Sequence, residues 1–226
     1  MDIKIKIKNV ISKYNPLAII RRKKMQCRLL NNGFSLICPN CLGGMLLHDL
    51  QLPFLSPTVN LMMYQREFVK FVLDMDYYLS QKLRFYDDPD YACPCAKLGD
   101  GNKAVTIHFT HYKNKDEAEQ YWQKRIPRIN NDNLFVIAME KDGMNKEDIV
   151  RLGTLKIRGL VVFTAHNYSD IPYACWIPKY QTDGVVGNIL VRSYLNDKKE
   201  YERYFDFVKW FNEANGGNYD CRSFCL

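Results

Sequence analysis

Two runs, Leu134–Met139 (LFVIAM) and Gly159–Thr164 (GLVVFT), set the main constraint on this chain. Neither alternates apolar with polar residues, so a strand made from either has no face to offer water. Strands of that kind belong in a sheet covered by helices on both sides, which is how parallel sheets are built. Asn145–Leu152 between them reads as a short helix, and the same alternation runs along the chain. Further strands are expected at Phe34–Ile37, Thr58–Met62, Ala104–Phe109 and Ala174–Ile177. Helices are expected at Leu17–Leu30, Leu42–Leu52, Arg66–Leu83, from Asn114 to about Arg128, and at Asp197–Ala214. Asn31-Asn32-Gly33 reads as the end of the first helix, with Gly33 as a left-handed cap. Asp87–Asn102, rich in Asp, Pro, Cys and Gly, reads as a loop. The expected fold is α/β, a three-layer α/β/α arrangement with a mostly parallel or mixed central sheet.

The 226 residues, 47% of them hydrophobic, suffice for one substantial core. The net charge of +7 is unevenly placed: residues 1–30 hold nine Lys or Arg and one acidic residue, leaving 23 basic against 24 acidic residues in the rest. The expected organisation is therefore a basic leader, 1–32, and a single α/β domain, 33–226. The leader opens with DIKIKIK, which alternates with period two. Its charge suits an anionic membrane surface, or else a solvated basic face packed on the body. A nearly neutral body argues against nucleic acid as a partner. No apolar run approaches the roughly 20 residues a membrane span needs, and no signal peptide is evident. The expected location is cytoplasmic, with a peripheral place at the inner membrane face as the variant the leader suggests. Eight cysteines in such a chain are expected to be free thiols rather than a disulfide framework.

The segment Phe34-Ser-Leu-Ile-Cys38-Pro-Asn40-Cys41-Leu-Gly43-Gly44 is the first chemical candidate. A strand ends at Ile37, a turn follows, and Cys41 starts a helix. Unpaired N–H groups and the dipole there favour thiolate, so a lowered Cys41 pKa is expected. The N–H groups from Cys41 to Gly43, with Asn40, are the expected oxyanion hole, and Gly43 and Gly44 would admit a substrate close to the backbone. The alternative is a buried cysteine in a tight strand-to-helix turn, with the glycines serving packing. A zinc site would need Cys38 and Cys41 plus a second well-formed pair, which Cys93-Pro-Cys95 and Cys221/Cys225 do not supply. No metal is expected.

His108 and His111, in Ile107-His-Phe-Thr-His-Tyr112, face opposite ways along a strand. His111 falls at the strand's end, where α/β proteins carry their sites, and either histidine could serve Cys41 as base. Trp122 followed by Lys124, Arg125 and Arg128 could stack on a ring and hold a phosphate. The plain alternatives are structural histidines and a cation-rich helix end. His48-Asp49 reads as a cap or surface pair.

These segments together resemble a bacterial family of exopolysaccharide or capsule biosynthesis proteins of unknown function. The likeness runs from about Arg21 to the C-terminal helix. It is carried by Phe34–Ile37 with Asn40-Cys-Leu-Gly-Gly44, by Pro57 through Leu61, by Ile107-His-Phe with His111-Tyr112, and by Ala118, Trp122, Arg125, Arg128-Ile-Asn130 and Asn133. Pro39 departs from the pattern, which has asparagine there. The resemblance implies a compact α/β domain in surface-polysaccharide synthesis and no settled reaction. The expectation built on it is a cysteine-dependent acyl (acetyl) transferase acting on a sugar or sugar phosphate. Cys41, His111 or His108, and Asn40 are its catalytic candidates. Gly43, Gly44, Trp122, Arg125, Arg128 and Asn130 are its substrate-binding candidates. Acyl-CoA would be a cosubstrate, with no tightly bound cofactor. The alternatives are a glycosyltransferase-like or sugar-phosphate-binding protein, and a non-catalytic accessory protein of a polysaccharide synthase. Asp74-Met-Asp76 and Asp88-Pro-Asp90 are poorly placed for the metal site a glycosyltransferase would need.

Overall fold

The computed structural model describes residues 15–193, 195–216 and 220–226. The alternating run at residues 2–8 lies outside them. The expected α/β fold is present. Its centre is a four-stranded parallel sheet in the order β1 (Ser35–Ile37), β5 (Leu134–Met139), β6 (Gly159–Thr164), β7 (Ala174–Trp176).

The two apolar runs form its central strands, and their side chains divide between two cores. Phe135, Ile137 and Met139 point to one face, with Val161 and Phe163. Leu134, Val136 and Ala138 point to the other, with Leu160 and Val162. Period-two alternation with every position buried is what a doubly covered sheet demands. The first face is covered by α1 (Pro16–Arg28), α2 (Cys41–Leu50) and α7 (Phe207–Glu213). The second is covered by α3 (Gln65–Leu73), α5 (Lys115–Arg125) and α6 (Lys146–Leu152). A Cβ at Gly159 would overlap the Phe135 ring, so that position needs a glycine.

Several elements differ from expectation. Ala104–Phe109 contributes not to the parallel sheet but to a separate antiparallel one, β2 (Arg84–Tyr86), β3 (Cys95–Leu98) and β4 (Val105–His108). Two of its strands fall within or beside the stretch read as a loop. Thr58–Met62 is a turn with one isolated bridge, Met62 to His108. Arg66–Leu83 is two helices, α3 and α4 (Met75–Ser80), split at Asp74. The C-terminal helix is shorter than read, with a 3-10 turn at Glu200–Arg203 before it.

The leader's helix is tied to the body. Arg21 donates to Asp49 at 2.6 Å, Gln26 to the Asp49 carbonyl at 2.8 Å, and Arg28 to Asp206. The helix ends at Arg28 with Leu29 extended, and Gly33 is not left-handed. All eight cysteines are free thiols. Among the described residues, no helix is long and apolar enough to cross a membrane.

Candidate functional site

Cys41 is presented by a tight turn. After β1, Cys38 and Pro39 are buried, and Asn40 is extended at φ −153°. Its Oδ1 accepts from the Leu42 N–H at 3.0 Å, capping α2. Its Nδ2 meets Met139 Sδ at 3.5 Å, tying the turn to the end of β5.

His111 reaches this turn from the other sheet. β4 exchanges backbone hydrogen bonds with Met62 at His108, at 2.8 and 2.9 Å, and Met63 N–H donates to the Pro39 carbonyl at 2.8 Å. One backbone path thus joins β4 to the residue two before Cys41. The loop beyond β4 is pinned too: Tyr112 donates to the Val59 carbonyl at 2.9 Å and accepts from Arg125 at 2.6 Å. The outcome is a 3.1 Å contact between Cys41 Sγ and His111 Nε2, within reach for proton transfer between a thiol and an imidazole.

The thiol differs from expectation. Burial pushes the Cys41 thiol up, and the Thr110 hydroxyl and the residue's own N–H offset this only in part. In the first turn the Leu42 N–H is already engaged by the Asn40 side chain. Burial pushes Cys38 itself up to about 12. Of the backbone donors expected to form an oxyanion hole from Cys41 to Gly43, the Leu42 N–H is taken by the Asn40 cap. What the geometry offers is a thiol that becomes nucleophilic when His111 takes its proton.

Cys41 and His111 line a cleft of about 960 Å³, together with Gly44 and Asn60. A Cβ on Gly44 would lie 2.8 Å from Asn60 Oδ1, so the glycine lets α2 pass close to that amide. Asn60 is left-handed at φ 64°, a conformation asparagine tolerates, and its side chain has no hydrogen bond among the described residues. Met45, Leu52 and Phe54 give the cleft apolar lining, while Arg22 and Arg192 line it as well. An ion cluster belongs to the same lining: Lys199 donates to Asp49 and Asp197, each at 2.8 Å. Asp49 is thus a buried ion-pair member, not the surface pair read from sequence. Among the described residues, no group of three or more His, Cys, Asp or Glu could hold a metal ion.

Residues 12–212, spanning α1, the turn, both histidines and the basic side chains of the cleft, match a domain of unknown function, DUF1919. The chain belongs to the DUF1919 family. An uncharacterised protein of Haemophilus influenzae (strain ATCC 51907 / DSM 11121 / KW20 / Rd) is 37% identical over 209 residues, covering 92% of this chain and 98% of that protein.

Other candidates in this DUF1919 chain are placed elsewhere. His108 is buried with Nδ1 3.4 Å from Cys95 Sγ and its ring 4.0 Å from that of Tyr91. It is not at Cys41, and burial lowers its pKa. Trp122 is 1% exposed and packed near Phe71 and Phe109, so no face is open to a sugar. Arg125 is buried, donating to Tyr112 and at 3.4 Å to the Val59 carbonyl. It holds the His111 loop rather than a phosphate. Arg128 is exposed on a 3-10 turn and does not line the cleft. Asn130 clasps the start of β1, through Ser35 Oγ and the Gly33 carbonyl, each at 2.8 Å. Gly43 serves packing: its Cβ would lie 2.9 Å from Cys38 Cβ.

Asn60, Thr110, Arg22, Arg192, Asp197 and Lys199 were not candidates from sequence. Asn60 had a signal, since it falls in the Pro57–Leu61 segment of the resemblance. Arg22 had one only as part of the basic leader, and Arg192, Asp197 and Lys199 had none, because the helices their segment meets, α1 and α2, lie far away along the chain.

Proposed function

We propose that this chain is a cysteine-dependent acyltransferase that moves an acyl group, acetyl being the simplest, from acyl-CoA to a hydroxyl of a sugar or sugar phosphate in surface-polysaccharide synthesis. The observation that carries the chemistry is the 3.1 Å contact between Cys41 Sγ and His111 Nε2 in an open cleft. The acceptor class follows the sequence resemblance.

In the first half-reaction Cys41 Sγ attacks the thioester carbonyl while His111 takes the thiol proton. The tetrahedral intermediate collapses, the bond to the CoA sulfur breaks, and His111 returns the proton to that leaving sulfur. In the second, the sugar hydroxyl gives its proton to His111 and attacks the enzyme thioester. The Cys41 carbon–sulfur bond breaks and His111 reprotonates the sulfur. Each half develops an oxyanion. Asn60 lines the same cleft, its amide is unspent among the described residues, and we assign its Nδ2 as the donor that meets the oxyanion. Arg125 and Tyr112 hold the base in position.

Incubation with acetyl-CoA, followed by intact-protein and peptide mass spectrometry, tests this. The expected product is one hydroxylamine-labile acetyl group on Cys41, absent from Cys41→Ala and strongly reduced in His111→Ala. Acetylation scattered over lysines, or none on Cys41, would overturn the proposal.

A further inference from the structure

Arg21 and Arg22 are adjacent on α1 and have different surroundings. Arg21 turns inward, 11% exposed, with Nη2 on Asp49 at 2.6 Å and Nη1 on Glu202 at 2.9 Å. Arg22 lines the cleft, and its Nη1 comes only within 3.6 Å of Asp197 Oδ2. Arg192 also lines the cleft, 3.8 Å from Asp197 Oδ1. Both distances exceed a hydrogen bond, and neither guanidinium donates one among the described residues. Asp197 already accepts from Lys199 at 2.8 Å.

Across the cluster, the four cations Arg21, Arg22, Arg192 and Lys199 share the three carboxylates Asp49, Asp197 and Glu202. One positive charge is in excess. Lys199 and Arg21 are engaged in short contacts, so the excess falls on the two arginines facing the cleft. Asp197 is left-handed at φ 58°, and a backbone bridge between Arg192 and Lys199 closes its loop. Arg192 is therefore anchored at the base of that loop, and Arg22 is carried by α1. Two guanidinium forks with unspent donors match a phosphate dianion, whose oxygens can accept from both at once.

We propose that Arg22 and Arg192 form a phosphate clamp in the same cleft as Cys41, taking over the role that sequence reasoning gave to Arg125 and Arg128. The ligand identity rests on the acyl-transfer reading. Its phosphate belongs either to the nucleotide end of acyl-CoA or to a sugar phosphate acceptor. The apolar side chains of the cleft, Met45, Leu52 and Phe54, would cover the uncharged part of either.

Isothermal titration with two probes separates these sources. Adenosine 3′,5′-bisphosphate carries the CoA phosphates, and glucose 1-phosphate stands for the acceptor; adenosine and glucose are the unphosphorylated controls. At least one phosphorylated probe should bind while its control does not. Arg192→Gln should weaken that binding roughly tenfold, as loss of a charged hydrogen bond implies, and Arg22→Gln/Arg192→Gln should weaken it further. Binding of the bisphosphate alone assigns the clamp to the donor, and of glucose 1-phosphate alone to the acceptor; either supports the clamp.

Arg192 is 47% exposed, so its variant is expected to fold and decides the matter if the double variant does not. No binding by either probe, or binding unchanged in Arg192→Gln and the folded double variant, would overturn the proposal. A chain that binds phosphate but forms no thioester on Cys41 keeps the clamp and loses the acyl-transfer reading. Thioester formation without phosphate binding does the reverse.

Discussion

Lys199 Nζ stands 2.8 Å from Asp49 Oδ2, with both side chains only 3% exposed and 150 residues apart in sequence. The pair joins α2, which carries Cys41, to the loop that carries Arg192. Removing one partner of a buried pair leaves an uncompensated charge, which typically costs about 3–5 kcal/mol. Lys199→Met should lose stability toward the lower end of that range, because Arg21 still faces Asp49. Urea unfolding monitored by tryptophan fluorescence measures it.

The same pair sets the acid response. Burial alone would raise the Asp49 carboxyl, but the Lys199 and Arg21 cations outweigh it and hold the pKa below the ordinary value. A carboxyl whose folded pKa is depressed stabilises the fold above its unfolded pKa of about 3.9. That contribution disappears as pH falls through the lower folded value. Thermal melts below about pH 5 should fall more steeply for the native chain than for Asp49→Asn. Equal slopes would remove Asp49 from the account.

His108 should act in a higher range. Burial lowers its pKa, so the folded chain holds it neutral where the unfolded chain begins to protonate it. Stability should therefore decline as pH drops below about 6.5 toward the lowered value. His108→Gln should flatten that part of the profile, as read from unfolding midpoints between about pH 7 and pH 5.

Gly43 and Gly33 make a matched comparison. A Cβ at Gly43 would meet Cys38 Cβ at 2.9 Å, whereas nothing lies within 4 Å of one at Gly33. Gly43→Ala should cost about 1–3 kcal/mol through overpacking of α2 on β1. Gly33→Ala should be neutral or stabilising by about 0.4–1 kcal/mol. Chemical denaturation of both variants checks the contrast.

How much of this was legible beforehand follows from distance along the chain. LFVIAM and GLVVFT declare a doubly covered sheet because their apolarity is local and continuous. The helix start at Cys41 is equally local, since Asn40 caps a residue two positions on. The antiparallel sheet was obscured because β2 and β3 are short and flank a Pro-, Asp- and Cys-rich turn. That sheet decides which histidine meets the thiol. Once β4 leaves the parallel sheet, His108 faces Cys95 and His111 swings to Cys41. The resemblance pointed to Trp122, Arg125 and Asn130, yet their placements are structural, in the core, at the His111 loop and at the β1 clasp. Arg22 and Arg192 lie 170 positions apart by number. No local pattern links them, and only the fold brings them to one cleft.

The account rests on His111 serving Cys41 as base. Stopped-flow acylation with p-nitrophenyl acetate, an ester without a phosphate, isolates that step from the clamp. The burst of nitrophenolate should match one thioester on Cys41 per chain. His111→Ala should slow the burst roughly 10²- to 10⁴-fold at neutral pH, the usual contribution of a general base, while remaining folded by circular dichroism. A burst of unchanged rate in folded His111→Ala, or one that persists in Cys41→Ala, would contradict the account.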